Sequence, residues 1–251
     1  MRLSDGTDAV VKHLQPFDDV EDELRGAHLL RWRDGIGAVR LFAVAGRQIL
    51  QEYGGDKLLT HVLKEEGDDA SSEIAAEVMA RLHATSSRAV PPELQPLRRR
   101  FTSLFARAKP DLATDIPTIY VEAAELANGL LSDQRDAKPL HGDLHHDNIL
   151  YGARGWLSID PKGVFGDPAF DAANMFYNPL DRDNLCRNPE RIASMGELFA
   201  KTLGQSPARL LDFAFAYGCL SAAWHAEDGD DAAEARELAI AEAIRSVRLS
   251  F

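Results

Sequence analysis

The sequence predicts an α+β protein with a small, mainly β N-terminal part and a larger helical part that carries a β-hairpin. Three observations lead to this prediction. Strand-like patterns with β-branched residues lie within residues 1–53. After a break at Gly54-Gly55 most of the chain shows amphipathic helical faces. Two short apolar segments, 149–151 and 156–159, flank a Gly-rich loop, as in a hairpin.

The N-terminal part is predicted to contain three strands and one helix. Residues 8–14 form a strand that carries Lys12, and Pro16 ends it. A helix opens at residue 18 with acids in its first turn, where the helix dipole favours them. The inner face of this helix is predicted to consist of Val20, Leu24, Ala27 and Leu30 or Arg31. Residues 38–44 and 48–53 form two more strands. We therefore predict an N-terminal lobe over residues 1–53, a C-terminal lobe over residues 54–251 and a hinge near residues 51–55.

The C-terminal part is predicted to be helical around the hairpin. Apolar residues at helical spacing mark segments 74–82, 97–108 and 119–131. Asn188-Pro189 and Ser206-Pro207 each combine a cap residue with proline at the first helical position, which is typical of helix starts. Residues 232–247 form an Ala/Glu-rich terminal helix.

Composition and charge narrow the possible partners. The net charge of −12 disfavours nucleic acid and anionic membranes. The same charge could steer a polycationic substrate inward or simply aid solubility. No run of about 18 apolar residues and no apolar region near Met1 are present, so we expect a cytoplasmic protein without a membrane span. Cys186 and Cys219 are expected to be reduced thiols. The oligomeric state is left open.

One motif carries most of the chemistry, His141-Gly-Asp-Leu-His-His-Asp-Asn148 followed by Ile159-Asp-Pro-Lys-Gly163. Asp143 supplies a proton acceptor, and Asn148 and Asp160 supply two oxygen ligands for a hard cation such as Mg²⁺. Phosphoryl transfer needs such a set, because a base orients the acceptor hydroxyl while a metal neutralises charge on the phosphate. The hairpin is expected to bring Asn148 and Asp160 to the same end.

The histidines of this motif allow a second interpretation as a metallophosphoesterase site. His141, His145 and His146 together with neighbouring aspartates could bind a transition metal. A dinuclear hydrolase would need further clusters on other loops, and the remaining histidines occur singly within helical patterns. We therefore expect His141 to be a structural loop residue that bonds backbone.

The motif resembles the catalytic segment of the aminoglycoside phosphotransferase branch of the protein-kinase-like fold. His-Gly-Asp-x-x-x-x-Asn is similar to the kinase catalytic loop, and Ile-Asp-Pro-Lys-Gly is similar to the Asp-Phe-Gly segment. Residues 160–179 and 217–224, with 24–27 and 31–41, resemble the streptomycin 6-phosphotransferase and hydroxyurea kinase group. The resemblance covers nearly the whole chain and implies a two-lobed kinase-like fold.

The resemblance also implies roles for residues outside the motif. Lys12 would bind the nucleotide phosphates and pair with a helix acid, Glu23 as first choice and Glu21 as the alternative. Backbone groups of Gln51, Glu52 and Tyr53 would face the adenine. The implied cofactors are ATP or GTP with Mg²⁺, and the implied acceptor is a cationic aminoglycoside, streptomycin first.

The chain departs from this family at its start. Lys12 lies eleven residues from Met1, so the first strand and the Gly-rich loop that cover the nucleotide are expected to be absent and the N lobe truncated. The sequence therefore leaves three candidate functions. The first is an aminoglycoside kinase, and the second is a kinase of the same fold for hydroxyurea or a metabolite alcohol. The third is a binding protein with impaired nucleotide binding.

Overall fold

The computed structural model describes residues 1–16, 19–114 and 117–251. The first half of the chain contains both strands and helices. In chain order they are β1 (Ala9–His13), α1 (Val20–Arg33), β2 (Leu41–Ala45), β3 (Gln48–Glu52), β4 (Lys57–Leu58), α2 (Leu59–Glu65), α3 (Asp68–Leu82), β5 (Gln95–Pro96), α4 (Leu97–Arg100), α5 (Thr102–Leu112) and α6 (Ile119–Ser132). Short strands follow, β6 (Lys138–Leu140), β7 (Ile149–Gly152), β8 (Gly155–Ser158) and β9 (Val164–Gly166), and then helices α7 (Ala169–Ala173), α8 (Asp183–Cys186), α9 (Pro189–Leu203), α10 (Pro207–Asp228) and α11 (Asp231–Arg248). Single 3₁₀ turns cover His146–Asn148 and Asn174–Tyr177.

The chain divides into two compact units. Unit 1 consists of residues 1–95 and 138–165, and unit 2 consists of residues 96–137 and 166–251. The predicted catalytic segment therefore belongs to the same unit as the N-terminal strands. The predicted lobe boundary at residue 53 stays a prediction.

Unit 1 is built on an antiparallel sheet with the order β1-β3-β2. In its register Lys12 of β1 faces Ile49 of β3. The apolar stripe of α1 covers this sheet through a cluster of buried and half-buried side chains, Leu14, Val20, Leu24, Ala27, Leu41, Val44 and Ile49. This packing confirms the predicted strands around Lys12 and the inner face of the first helix. Asp18, where that helix was predicted to open, lies outside the described residues.

The strand predicted over residues 38–44 begins later, at Leu41. Before Leu41, two side chains form hydrogen bonds with backbone groups that a strand would use for pairing. The Arg40 N–H donates to a carboxylate oxygen of Glu52 at 2.9 Å, and the Ala38 carbonyl accepts from Arg154 at 3.0 Å. The Val39 N–H donates to the Ser158 carbonyl of the hairpin at 3.1 Å, so the backbone before Leu41 is satisfied without a regular strand ladder. A register shift between Leu41 and Ala43 then marks the start of regular pairing.

The predicted hairpin is present as β7 and β8, with Ile149 opposite Ser158 and Gly152 opposite Gly155. Strand β4 extends it to a three-stranded sheet. On its other side, Ala38 forms a parallel bridge with Ser158. The hairpin therefore joins the segment before β2 directly to the segment that leads into Asp160.

Unit 2 is a helical assembly around α10, whose central residues are buried on all sides. Helices α5, α6, α7, α9 and α11 pack against it. The predicted starts of α9 and α10 are confirmed, since Asn188 accepts from the Glu190 N–H at 2.9 Å and Ser206 from the Arg209 N–H at 3.3 Å. Among the described residues, no helix combines the length and the apolar character needed to cross a membrane.

The elements that the sequence did not predict include short helices and the two- or three-residue strands β4, β5, β6 and β9. Helices α2, α7 and α8 are each a few residues long, too short for a helical period to stand out. The face predicted over 97–108 is divided between α4 and α5, because Phe101 adopts a bridge conformation and its ring is buried.

Candidate active site

The loop that carries Asp143 is held by its own side chains. The Asn148 side-chain nitrogen donates to the Asp143 carbonyl at 2.8 Å and lies 3.4 Å from a carboxylate oxygen of the same residue. His141 lies under the loop and is buried. Its Nε2 lies 2.8 Å from the Ile159 carbonyl, and its Nδ1 accepts from the Asp143 N–H at 3.2 Å. These contacts confirm that His141 is a structural histidine that bonds backbone.

His145 faces the carboxylate of Asp143. Its Nδ1 accepts from the Asp147 N–H at 3.3 Å, which leaves the proton of a neutral ring on Nε2. That Nε2 lies 4.0 Å from an Asp143 carboxylate oxygen. The Asp143 side chain is still 30% exposed, so a small molecule can reach it.

Four charged side chains form a chain of ion pairs next to this loop. The Lys12 ammonium lies 2.7 Å from Glu23 Oε2 and 3.0 Å from Asp160 Oδ1. The Lys162 ammonium lies 2.8 Å from Glu23 Oε1. The structure thus pairs Lys12 with Glu23, the first-choice acid, and places Glu21 instead beside Arg25. Two lysines and two carboxylates balance one another in this cluster.

The ion pairs change the proton affinities of the cluster. Burial alone would lower the pKa of Lys12, but the hydrogen bond to Glu23 and the charge of Asp160 outweigh it and raise that pKa. Burial alone would raise the pKa of Glu23, but hydrogen bonds from Lys12 and Lys162 outweigh it and lower that pKa. Lys12 and Glu23 are therefore both charged over a wide pH range around neutrality.

Main-chain hydrogen bonds connect the Asp143 loop to the Asp160 segment. The Ile159 N–H donates to the Asn148 carbonyl at 3.0 Å, and the Lys162 N–H donates to the His141 carbonyl at 2.7 Å. Between these bonds Asp160 adopts a left-handed backbone conformation with φ of 54°. Such a conformation costs a non-glycine residue of order 1–3 kcal/mol and is concentrated at functional sites. The surrounding bonds hold Asp160 in place despite this cost.

The donor set of Asn148 and Asp160 fits a hard cation. Because the Asn148 nitrogen is turned toward Asp143, its side-chain oxygen is left to act as a ligand. Magnesium typically takes one or two carboxylates and completes its shell with phosphates and waters. Within the ranges that the structure describes, no group of three or more His, Cys, Asp or Glu side chains could hold a metal by themselves. A sparse site of this kind suits a metal that arrives with a phosphate ligand.

The predicted hinge residues, Gln51 to Tyr53, lie at the end of β3. The Glu52 N–H donates to the Arg40 carbonyl at 2.8 Å, and the Tyr53 N–H donates to the Asp8 carbonyl at 3.0 Å. The Glu52 side chain is buried and accepts from Arg154 Nε at 2.7 Å. Glu52 thereby ties the end of β3 to the β7–β8 turn. The predicted contact of this segment with adenine stays a prediction.

Sequence reasoning missed Arg154 and left Lys162 without a role. Arg154 binds Glu52 and also donates to the Gly35 carbonyl at 2.8 Å. Its partner Glu52 is 102 residues away, and the partner of Lys162 is 139 residues away. No local pattern encodes such distances. The only available signal was the position of Lys162, two residues after a predicted metal ligand.

A close backbone contact joins α1 to the Asp160 segment. A methyl group added at Gly26 would lie 1.8 Å from the Pro161 carbonyl oxygen, far inside contact distance. Gly163 makes a second such contact, because a methyl there would lie 2.6 Å from the Arg25 carbonyl oxygen. The helix that carries Glu23 and the segment that carries Asp160 therefore touch backbone to backbone.

Replacing Gly26 by alanine is expected to destabilise the protein by about 1–3 kcal/mol, because the new methyl must displace Pro161. Urea unfolding measures this change. Gly129→Ala on α6 is the matched control, since nothing lies within 4 Å of the added methyl. There alanine is expected to stabilise the helix by roughly 0.5–1 kcal/mol. Equal effects of the two substitutions would contradict the close contact.

Comparison with known proteins finds one matching family and relatives that are named as streptomycin kinases. Residues 1–229 match a family model described as aminoglycoside/hydroxyurea antibiotic resistance kinase. A streptomycin 3″-kinase of Klebsiella pneumoniae is 40% identical over 215 residues, which cover 84% of this chain and 78% of the relative. A streptomycin 6-kinase of Streptomyces glaucescens is 28% identical over 247 residues, covering 96% and 78%.

Solved structures show the same fold at low sequence identity. An ethanolamine kinase of Plasmodium vivax superposes with a TM-score of 0.64 at 14% identity, over 96% of this chain and 76% of that one. At this identity the likeness concerns the fold alone. It confirms the predicted protein-kinase-like fold.

Proposed function

Because the chain belongs to the aminoglycoside/hydroxyurea antibiotic resistance kinase family, we propose that it transfers the γ-phosphoryl group of ATP to a hydroxyl of streptomycin in the presence of Mg²⁺. The observation that carries this proposal is the Lys12 ammonium, held 2.7 Å from Glu23 and 3.0 Å from Asp160 beside the loop of Asp143. In this proposal Lys12 is the cation that binds phosphates, Asp160 is a metal ligand and Asp143 is the base. All three residues lie in unit 1. Two relatives named for streptomycin support the choice of acceptor.

Asp143 acts in this proposal as the base that orients the acceptor hydroxyl. Its carboxylate is partly exposed, and its main chain is fixed by Asn148 and His141. A hydroxyl that donates to this carboxylate is aligned for attack on the γ-phosphorus of ATP and gives its proton to Asp143 as the new O–P bond forms. The bond from the γ-phosphorus to the β-phosphate oxygen breaks in the same step, and ADP leaves. Transfer is direct, because Asp143 serves as base and no covalent intermediate is required.

Asn148 and Asp160 would hold the magnesium ion through one side-chain oxygen each. Bound Mg²⁺ supplies charge neutralisation at the phosphate oxygens. Asp160 is paired with Lys12 in the structure. Lys12 can keep Glu23 as its partner while its remaining donors bind phosphate, since an ammonium carries three hydrogens.

The charge of the protein suits a cationic acceptor. The chain carries 40 acidic and 28 basic side chains and a net charge of −12. Such a field raises the encounter rate with polycations at low ionic strength. Streptomycin, whose guanidinium groups are positively charged, is attracted, whereas a neutral molecule such as hydroxyurea gains nothing from it.

Mass spectrometry of streptomycin after incubation with the purified chain, Mg²⁺ and ATP tests the proposal. The expected product is streptomycin that carries one added phosphoryl group, and NMR of that product distinguishes the 3″ from the 6 position. Hydroxyurea and simple metabolite alcohols are run in parallel. Product from hydroxyurea alone would transfer the assignment to the second substrate class of the family.

A thermal-shift measurement with Mg-ATP separates a kinase with another acceptor from a protein that does not use nucleotide. Ligand at about 100 times its Kd stabilises the folded state by about 2.7 kcal/mol. A shift without any phosphorylated product would leave the reaction class in place and reject the tested acceptors. The absence of both shift and product would reject the kinase proposal for this chain.

A further inference from the structure

Lys162 occupies a place in the charge cluster that none of the roles above uses. Its ammonium lies 2.8 Å from Glu23 Oε1, while Lys12 takes Oε2 at 2.7 Å. The Glu23 side chain is 12% exposed and Lys162 is 20% exposed, so this pair is largely shielded from solvent. Each oxygen of one carboxylate thus has its own lysine.

The backbone around Lys162 holds it in this position. Its N–H donates to the His141 carbonyl at 2.7 Å. On either side, the contacts of Pro161 with Gly26 and of Gly163 with Arg25 press the segment against α1. Glu23 lies one helical turn before Gly26 and so faces the same segment. The main chain that carries Lys162 is therefore fixed by these contacts, and its side chain extends from there to Glu23.

The charge balance explains what a second lysine would contribute. Without Lys162, the single charge of Lys12 would be shared between Glu23 and Asp160, which both lie within 3.0 Å of it. A nucleotide phosphate would then compete with a shielded carboxylate for the same ammonium. With Lys162 present, Glu23 has a compensating charge besides that of Lys12, so the remaining donors of Lys12 are available to phosphate. A shielded carboxylate that loses its partner is costly, so this compensation matters.

We propose that Lys162 is a positioning residue for phosphoryl transfer, which neutralises and orients Glu23 so that the charge of Lys12 is available to the nucleotide. The proposal rests on the kinase function proposed above. In this proposal Lys162 affects nucleotide binding only through its contact with Glu23. A lysine that touched phosphate or acceptor itself would act independently of Glu23, and this difference can be measured.

A double-mutant cycle over Lys162→Met and Glu23→Gln tests the proposal through the Kd of Mg-ATP, measured by calorimetry. In the wild-type background, Lys162→Met is expected to raise this Kd about tenfold, the worth of one charge-assisted hydrogen bond. In the Glu23→Gln background the same change is expected to alter Kd less than about twofold, because the group through which Lys162 acts has lost its charge. Lys162→Arg, which retains the charge, is expected to restore part of the affinity.

Two further measurements separate positioning from general loss of structure. Hydrogen exchange of the ligand-free protein is expected to be faster in α1 of Lys162→Met, because one tether to the 160–163 segment is lost. Lys64→Met removes an equal charge from an exposed position on α2 and is expected to leave both Kd and exchange unchanged. Thermal unfolding verifies that each variant is folded, and Lys162→Gln takes the place of Lys162→Met if the latter does not fold.

The outcomes distinguish this proposal from the proposed function. An equal loss of affinity in both backgrounds, or no loss in either, would overturn the role of Lys162. Coupling between the two positions in a chain that binds Mg-ATP but leaves streptomycin unmodified would support Lys162 and overturn the acceptor. A wild-type chain that binds no Mg-ATP would overturn both proposals.

Discussion

Asp143→Asn is expected to lower kcat by about 10²–10⁴-fold, the usual contribution of a positioned general base. Asparagine keeps the shape of the side chain but cannot accept the proton of the acceptor hydroxyl. The fold should be little affected, because the loop is held through the main chain of Asp143, by Asn148 at 2.8 Å and by His141 at 3.2 Å. Steady-state assays of phosphoryl transfer, together with urea unfolding, measure both quantities.

Asp147→Asn is the matched control for this prediction. Asp147 lies in the same loop and loses the same charge, but its carboxylate is exposed and accepts from the Thr60 hydroxyl instead of facing the site. Its kcat is expected to stay within a few-fold of wild type, because its carboxylate bonds to Thr60. Its stability is expected to change by less than about 0.5 kcal/mol, as is usual for exposed substitutions. Wild-type kcat in Asp143→Asn, or an equal loss in both variants, would contradict the assignment of the base.

Arg209→Met is expected to destabilise the protein by about 3–5 kcal/mol, because it leaves the carboxylate of Asp167 buried without its countercharge. Asp167 is fully buried, and one of its oxygens accepts from Arg209 at 3.1 Å and 2.5 Å. The other oxygen accepts from the Ala169 N–H at 3.0 Å, at the start of α7. Urea unfolding followed by circular dichroism measures the change.

Two comparisons identify the cause of this loss. Adding Asp167→Asn to Arg209→Met removes the uncompensated charge and is expected to recover part of the stability. Arg135→Met removes an arginine from an exposed pair with Asp133, 57% and 70% exposed, and is expected to cost about 0–1 kcal/mol. A small loss in Arg209→Met would show that the buried pair contributes little.

The parts of the fold and of the candidate site that are local in sequence could be predicted. Asp143 and Asn148 lie within one loop, and the hairpin that follows is encoded by two apolar segments around a Gly-rich turn. Lys12 and Glu23 are eleven residues apart, and the apolar stripe of α1 indicated which acid faces the sheet. Alternation, helical period and cap residues act over short distances, so they identify such elements.

The contacts that join distant segments could not be predicted from the sequence. Glu52 with Arg154 and Glu23 with Lys162 depend on how the hairpin packs against α1 and β3, and no periodicity specifies that packing. The late start of β2 at Leu41 has the same origin, because the backbone before it bonds to Arg154 and Ser158 of the distant hairpin. Short helices such as α2, with seven residues, escaped prediction because about two turns are too few for a helical period to stand out.

The division of unit 1 between two separate stretches of chain has a consequence for biosynthesis. Residues 1–95 are made first, but residues 138–165, which complete the unit, follow only after 96–137. At about 5–20 residues per second, the ribosome needs roughly 4–14 s to pass from residue 95 to residue 165. During that time the sheet that carries Lys12 has neither the hairpin nor Lys162 beside it. We therefore expect this sheet to stay uncovered, and so to be a target for aggregation or chaperone binding, until residues 138–165 emerge.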